Sequence, residues 1–493
     1  MYGYIKKLDK DHPVTYVIHN ANKTHGLSKM GRGDFDIPDD TKLFIVPDAG
    51  SNDIQELEWL TSRGVDCICL DHHQIDVDTS TCGAIIVNNQ ASEKYTCKDF
   101  SGVGIVYEFL RALDDYALYN YADDFLDLVA FGNISDVMSI KDYQTRYYIN
   151  KGISNIRNKF LLALNKAQEF STNGEINIHN ISWYWTPICN AMIRVGSYED
   201  RDLMFRAFIE TDEVFPYQKR GSSQIVEEDI YTRAARLCKN IKAKQDKMRD
   251  AMFEDLKEMI NPDDKIHIAV LDDGDPGIIG LSAMKLADWS GKPCVVLREK
   301  DEGILSGSCR NCNNSPVANL KELLNSTQIF NYVQGHDNAC GTEIYAHRID
   351  YAREELNNAL DNVKYDDIIY CDFIIDAENM EYEFIQEIEN SKWLYGTGIE
   401  EPVVAVENIN IMAEDCMVIG KNFDSVTFMY YGIKYCKFKC KPNDPLLKFA
   451  MGEKTNEITL NVVGKCSINI FRGSISPQMI IDDYEIVNTI QNE

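Results

Sequence analysis

Gly64-Val65-Asp66-Cys67-Ile68-Cys69-Leu70-Asp71-His72-His73-Gln74 is the stretch from which the rest of the chain can be read. A glycine bounds a short apolar run containing the β-branched Val65 and Ile68, the pattern of a buried parallel strand. A carboxylate and two imidazoles follow at its carboxyl end, where open α/β sheets place their ligands. Such donors suit Mn, Zn or Fe. A solvated loop holding two histidines would look the same in isolation, so the flanking units decide. Upstream, Lys42 to Val46 predicts a strand ending in Pro47-Asp48-Ala49-Gly50, after which Asp53 and Glu56 resemble a capping box and Gly64 closes the helix. Asp48 and His72 then stand at the ends of neighbouring β units, on one rim. Downstream, the apolar stretch Phe125 to Phe131 runs into Gly132-Asn133-Ile134-Ser135-Asp136, a third carboxylate at the end of an apolar segment. A single aspartate of this kind is usually a cap or a turn residue. Three such positions together point to a metal site.

The length of 493 residues suggests about three domains. With 44% hydrophobic and 26% charged residues, the composition is that of an ordinary soluble protein. No apolar run approaches the ~18 residues of a membrane span, and Met1 to Lys10 lacks the apolar core of a signal peptide. Fifteen cysteines, several inside apolar strands (Cys67, Cys69, Cys294, Cys466), read as reduced thiols of a cytoplasmic protein. Cys309-x-x-Cys312 has no second matching pair and so makes a poor zinc site. A net charge of −28 argues against a broad basic face for duplex DNA but leaves room for a narrow single-strand groove.

Taken in order, Tyr2 to Lys10 reads as the end of an amphipathic helix, Val14 to Ile18 as a strand, and His19 to Gly26 as a polar turn. Residues 151–220 are mostly helical, and apolar spacing predicts one long helix from Gln224 to Ile260. A second α/β segment begins at Ile266. Within it, Leu305 to Asn311 and Gln334 to Gly341 read as small-residue loops, the first carrying Ser308 and Arg310 and the second His336. Small residues with a guanidinium suit close approach to a phosphate, although the first stretch alone favours a hairpin turn. Beyond residue 366, short β-rich segments suggest a small barrel of the oligonucleotide-binding kind. Lys434, Lys437, Lys439 and Lys441 interleave there with Tyr435 and Phe438, which fits either single-strand binding or a lysine-protected sheet edge.

In this order, and over nearly the whole chain, these residues resemble the DHH phosphoesterases, and within them the RecJ-type single-strand-specific exonucleases. Pro47-Asp48-Ala49-Gly50, Asp71-His72-His73 and Gly132 to Met138 resemble the family's second, third and fourth motifs. Pro187 to Arg194 resembles a RecJ segment. Pro276 to Gly280, Ser306 to Arg310 and Gly335 to Gly341 resemble the DHH-associated domain, and Leu394 to Pro402 and Ser467 to Gly473 the RecJ barrel. The resemblance implies an α/β protein with a parallel-sheet DHH domain (1–222), a long connector helix (223–262), an α/β DHH-associated domain (263–365) and a C-terminal oligonucleotide-binding-like β-barrel (366–493). It implies two Mn2+ or Mg2+ ions, with Asp48 bridging them and His72 and Asp136 completing one. Asp71 would support that shell, and His73 would contact the phosphate or assist proton transfer. Arg194, Ser308, Arg310 and His336 would hold the phosphates of single-stranded DNA.

The implied activity is 5′→3′ removal of nucleotides by a monomer without membrane association, with replication or repair proteins as further partners. One alternative is a hydrolase of short oligoribonucleotides or cyclic dinucleotides. Another is a catalytically silent scaffold. The family's first motif, Asp-x-Asp-Gly, is absent, and Asp9-x-Asp11 precedes the next strand too closely to replace it. We therefore expect Met1 to be an internal methionine or the gene to be split, and the 493 residues alone to show weak activity or none.

Overall fold

The computed structural model describes residues 1–19, 25–27, 37–219, 221–313, 315–365, 368–452, 457–471 and 474–490. They form two compact units, Met1–Asp367 and Ile368–Glu493. The residues expected as a polar turn over 20–24 and Arg472 and Gly473 of the barrel motif lie outside the described residues.

Unit 1 starts with α1 (Tyr2–Leu8), β1 (Leu43–Pro47), α2 (Ile54–Ser62), β2 (Asp66–Asp71) and β3 (Ile85–Asn88). The strands form a parallel sheet in the order β1-β2-β3, with Pro47 opposite Leu70 and Asp71 opposite Asn88. Cys69 and Leu70 of the middle strand are fully buried, as a parallel strand covered on both faces requires. One rung past β1, the Asp48 N–H donates to the Leu70 carbonyl at 2.8 Å, which carries the pairing out to the rim. Val14 to Ile18, expected as a strand, belongs to no sheet among the described residues. Strand propensity reflects fit to a neighbouring pleated surface, and no described strand pairs with this segment. A cavity of about 300 Å³ separates its end, Val17 to His19, from Phe44 to Asp48.

Helices α3 (Gly102–Ala117), α4 (Leu126–Ser135), α5 (Tyr143–Ile153) and α6 (Lys159–Thr172) follow. One turn, α7 (Ile178–Asn180), and a π-helical turn (Ile181–Trp185) lead into α8 (Thr186–Val195) and α9 (Tyr198–Phe208). The Phe125 to Phe131 stretch falls largely in α4, whose buried residues include Val129, Ala130 and Phe131 in succession, so it shows no helical periodicity. A hairpin of β4 (Val214–Gln218) and β5 (Ile225–Asp229) precedes the 30-residue α10 (Ile230–Met259). The long helix thus begins six residues later than its spacing predicts. The β-branched Ile225 and Val226 pair with β4, and the Asp229 carboxylate caps the Thr232 N–H at 2.7 Å.

The remainder of unit 1 is β6 (His267–Leu271), α11 (Pro276–Ser290), β7 (Cys294–Asp301), β8 (Ile304–Arg310), α12 (Leu320–Ser326), β9 (Tyr332–His336), β10 (Ala339–Tyr345) and α13 (Ile349–Ala359). Its sheet runs β6-β7-β8-β10-β9. The stretch expected as a loop over Leu305 to Asn311 is therefore a central strand as far as Arg310. Its small residues serve packing, because a side chain on Gly307 would come within 1.8 Å of the Val296 carbonyl oxygen. Gln334 to Gly341 is the β9–β10 hairpin.

Unit 2 contains β11 (Phe373–Asp376), α14 (Tyr382–Asn390), β12 (Val404–Met412), β13 (Cys416–Ile419), β14 (Ser425–Tyr430), β15 (Ile433–Lys437), α15 (Pro445–Ala450), β16 (Glu457–Phe471) and β17 (Ser474–Ile490). They build one sheet, β11-β12-β16-β17-β15-β14-β13, whose end strands do not meet among the described residues. It is an oligonucleotide-binding-type sheet, not a closed barrel. The edge reading of the lysine cluster is overturned here, and the single-strand reading loses one of its two rings, while Phe438 stays exposed. Tyr435 is fully buried and stacks on Phe428 at 5.2 Å, so it offers no face to a base. β15 lies inside the sheet, so its lysines guard no edge.

Candidate active site

Asp48 follows β1 in a left-handed conformation, φ +64°. That backbone turns its side chain across the rim towards β2. Gly102, the first residue of α3, is what makes room for it. A Cβ on Gly102 would stand 2.2 Å from Asp48 Oδ1 and 2.6 Å from Asp48 Cα.

His72 comes directly after β2, and its side chain is only 9% exposed. Its Nε2 lies 3.2 Å from Asp48 Oδ1 and 3.2 Å from Asp136 Oδ2. Asp136 arrives from the carboxyl end of α4, in place of a strand end. The helix closes in a Schellman motif, with Met138 N–H donating to the Asn133 carbonyl at 3.0 Å and Val137 N–H to that of Ile134 at 3.2 Å. Val137 takes the left-handed position at φ +58°, where glycine is usual. The motif fixes Asp136 as the last residue before the chain turns away.

Asp71 is buried and acts as a bracket. Its Oδ1 accepts from His72 N–H (2.7 Å), His73 N–H (3.2 Å) and the His73 ring Nδ1 (2.7 Å), and Oδ2 accepts from Ser51 N–H (3.0 Å). Burial by itself raises the Asp71 carboxyl, but the bonds from His73 and Ser51 prevail and hold it well below the usual range. The same bond raises the His73 imidazole against its desolvation. With Nδ1 engaged, His73 presents Nε2 outward. Asn88 Nδ2 donates to Ser51 Oγ and to the His73 carbonyl, both at 2.9 Å, and so ties β3 to the same bracket. Asn133 Oδ1 takes the Ser101 N–H and hydroxyl at 3.0 Å and joins the α3 N-terminus to α4.

The donor set fits a divalent ion. Asp48, His72 and His73 each place a ligand atom within 4.8 Å of the others, and the Asp136 carboxylate meets the same His72 Nε2 as Asp48 does. Burial raises the Asp136 carboxyl above its ordinary value, and the Asp48 charge adds to this against the pull of His72. Oxygen and imidazole donors crowded in this way suit Mn2+ and, through the carboxylates, Mg2+. Asp9 and Asp11 lie in an exposed turn after α1, apart from the cluster.

A second group forms around α11. A side chain on Gly280 would meet Arg310 Nη2 at 2.8 Å and Ser308 Oγ at 3.3 Å, so both residues crowd onto that helix. Gly277 lies equally close to the Arg194 carbonyl, 2.6 Å from where its Cβ would be. Burial lowers the Arg194 guanidinium, the charge of Arg310 lowers it further, and burial also lowers Arg310. Arg310 Nε is buried without a hydrogen-bond partner among the described residues. Two desolvated cations side by side suit an anion. Ala339 pairs with both Arg310 and His336, so His336 stands level with Arg310 on the same sheet face, two strands and roughly 10 Å away.

Helix α8 joins the two groups. Thr186 Oγ1 at its start bonds Ser135 Oγ, next to Asp136, at 2.8 Å, and Arg194 lies near its end. At 1.5 Å per residue the separation along the helix is roughly 12 Å.

Sequence reasoning missed Ser51, Asn88, Asn133 and Gly102. The first three are ordinary polar residues until the fold brings them to Asp71 and Ser101. Gly102 had no local signal.

Known proteins resemble this chain in sequence and in fold. Residues 1–133 match the DHH family, N-terminal domain, and residues 371–483 match the RecJ OB domain. Over 501 aligned residues the chain is 36% identical to the SPbeta prophage-derived single-strand DNA-specific exonuclease YorK of Bacillus subtilis (strain 168), covering 100% of this chain and 85% of that protein. It is 27% identical to the single-stranded-DNA-specific exonuclease RecJ of the same organism, over 90% of this chain and 53% of RecJ. The crystal structure of RecJ from Thermus thermophilus in complex with Mn2+ shares its fold at a TM-score of 0.69 and 17% identity, over 91% of this chain and 62% of that one. The chain thus spans less than two thirds of the length of these two RecJ proteins. By its two matched domains and its prophage relative, the chain belongs to the DHH phosphoesterase family, on the branch of the RecJ exonucleases.

Proposed function

We propose that this chain is a metal-dependent phosphodiesterase that removes nucleotides from the 5′ end of single-stranded DNA. The observation that carries the reading is the convergence of His72 Nε2 with Asp48 and Asp136, at 3.2 Å each, one helix length from the Arg194–Arg310 pair. The prophage relative is named for single-strand DNA-specific cleavage, and RecJ of Thermus thermophilus has been crystallised with Mn2+ and with Mg2+.

Asp48, His72 and Asp136 would hold a Mn2+ or Mg2+ ion, and Asp48 faces outward enough to share a second. A divalent ion held there would stabilise the negative charge on the phosphoryl and leaving oxygens and would favour loss of a proton from the attacking water. The chain's own residues do the rest. Asp71 holds His73 so that its Nε2 meets a phosphate oxygen or carries a proton. Arg310 and Ser308, with Arg194 and His336, grip phosphates further along the strand and bring the bond to be cut onto the carboxylates.

The test is digestion of 5′-phosphorylated single-stranded DNA with Mn2+, beside His72→Ala and Asp136→Ala. Slow release of mononucleotides from the 5′ end by the parent, lost in both variants, is the expected result. Equal digestion by parent and variants would exclude this centre. Preference for dinucleotides in a length series would move the reading to an oligonucleotide hydrolase. DNA binding without cleavage would leave a scaffold.

A further inference from the structure

Outside the residues discussed so far, one imidazole touches the site. His25 is exposed, and its ring packs on that of His73 with centroids 4.7 Å apart and planes at 60°. His72 approaches His73 from another side, edge-on at 4.5 Å. The covalent link at Cβ and the bond from Nδ1 to Asp71 set the direction of the His73 ring, but a hydrogen bond tolerates bending well away from linear. The two ring contacts narrow that remaining tilt.

His25 is not at this position by accident of a surface loop. Leu27, two residues on, is 5% exposed, and its N–H donates to Asp53 Oδ2 at 2.8 Å. Gly26 between them has φ +80°, and a Cβ there would stand 2.6 Å from the same oxygen. Asp53 occupies the N-cap position of α2, yet its side chain makes no cap bond. A carboxylate placed to cap α2 is committed instead to residues 25–27.

We infer that His25 is a positioning residue, whose ring holds the His73 imidazole in one orientation towards the substrate phosphate. The inference rests on the function proposed above only for what His73 does. The contact itself stands apart from it.

Kinetics of the parent, His25→Ala and His25→Phe on single-stranded DNA test the role. Loss of the ring should lower kcat roughly tenfold, the scale of a small misplacement of a catalytic group, with KM within about twofold of the parent. Phenylalanine, which keeps the ring and discards its nitrogens, should restore most of kcat. Unchanged kcat in His25→Ala would overturn the inference. So would a His25→Phe as impaired as the alanine variant, because the nitrogens would then be acting directly. Thermal midpoints equal to the parent's exclude a folding defect.

A second measurement needs no turnover. The chain has nine histidines, so selective labelling makes a nuclear Overhauser contact between the His25 and His73 ring protons assignable. Its absence would sink the inference even if the enzyme is active. Its presence in a chain that digests nothing would retire the proposed function and leave the packing intact.

Discussion

The tightest packing at the rim is between Gly102 and Asp48, and Gly102→Ala tests whether it matters. The added methyl would lie 2.6 Å from Asp48 Cα and the same distance from its Cβ, where ordinary contact begins at 3.4 Å. Backbone must therefore retreat by about 0.8 Å, and a swing of the carboxylate alone gives no relief. Overpacking of this kind costs about 1–3 kcal/mol, partly offset by up to ~1 kcal/mol because alanine favours helix over glycine. The net expectation is a modest loss of stability. The larger effect falls on the donors, because Asp48 moves relative to His72, from which it stands at 3.2 Å. Shifts approaching 1 Å at a reacting centre cost on the order of a hundredfold in rate. Calorimetric titration with Mn2+ should show affinity reduced at least tenfold, and thermal unfolding in a chelator should show a midpoint only a few degrees lower. Parent-like Mn2+ affinity in a folded Gly102→Ala protein would refute the argument that this glycine places Asp48.

Asp136→Asn should raise the thermal midpoint of the chelated protein while weakening Mn2+ binding, since burial and the Asp48 charge oppose the Asp136 carboxylate; a lower midpoint would contradict this. His267, 2% exposed in β6, has its imidazole lowered to about 4 by burial and then by Lys292. The unfolded chain binds that proton near 6.5, so the folded protein loses stability as pH falls from about 6.5 towards 4, by at most roughly 3 kcal/mol. Urea unfolding at pH 7 and pH 5 should show the drop, and His267→Gln should remove most of it. Arg310→Lys should raise KM for single-stranded DNA several-fold with kcat less affected, because a point charge does not reproduce the fork of the guanidinium; an unchanged KM would remove Arg310 from the phosphate site.

The donors at strand ends were legible because period and position coincide there: an apolar run, a glycine before it, and charged residues at the carboxyl end. Asp48 and His72 are brought together by that logic. Asp136 was visible as a residue but its carrier was not, because α4 is buried on successive positions and offers no polar face to reveal a period. Leu305 to Asn311 looked like a loop because small residues usually mark turns, whereas here they let β8 pack tightly between β7 and β10. Val14 to Ile18 has strand composition without a strand, since pairing belongs to two segments at once. Asp53 misled most instructively. Local capping rules assign it to α2, and only the tertiary fold shows it reaching back to Leu27. Tyr435, set between lysines, reads as a base-stacking ring until the sheet turns it inward.

Helix α8 has a consequence for the substrate. If one end is moored beside Asp136 and the other carries Arg194, the helix works as a gauge block between the place where a strand is gripped and the place where it is cut. A stiff spacer converts a length in the protein into a count of nucleotides. The shortest strand that can be held and cut at once would then be set neither by the chemistry at the rim nor by the affinity of the grip, but by how many residues the chain winds between Thr186 and Arg194.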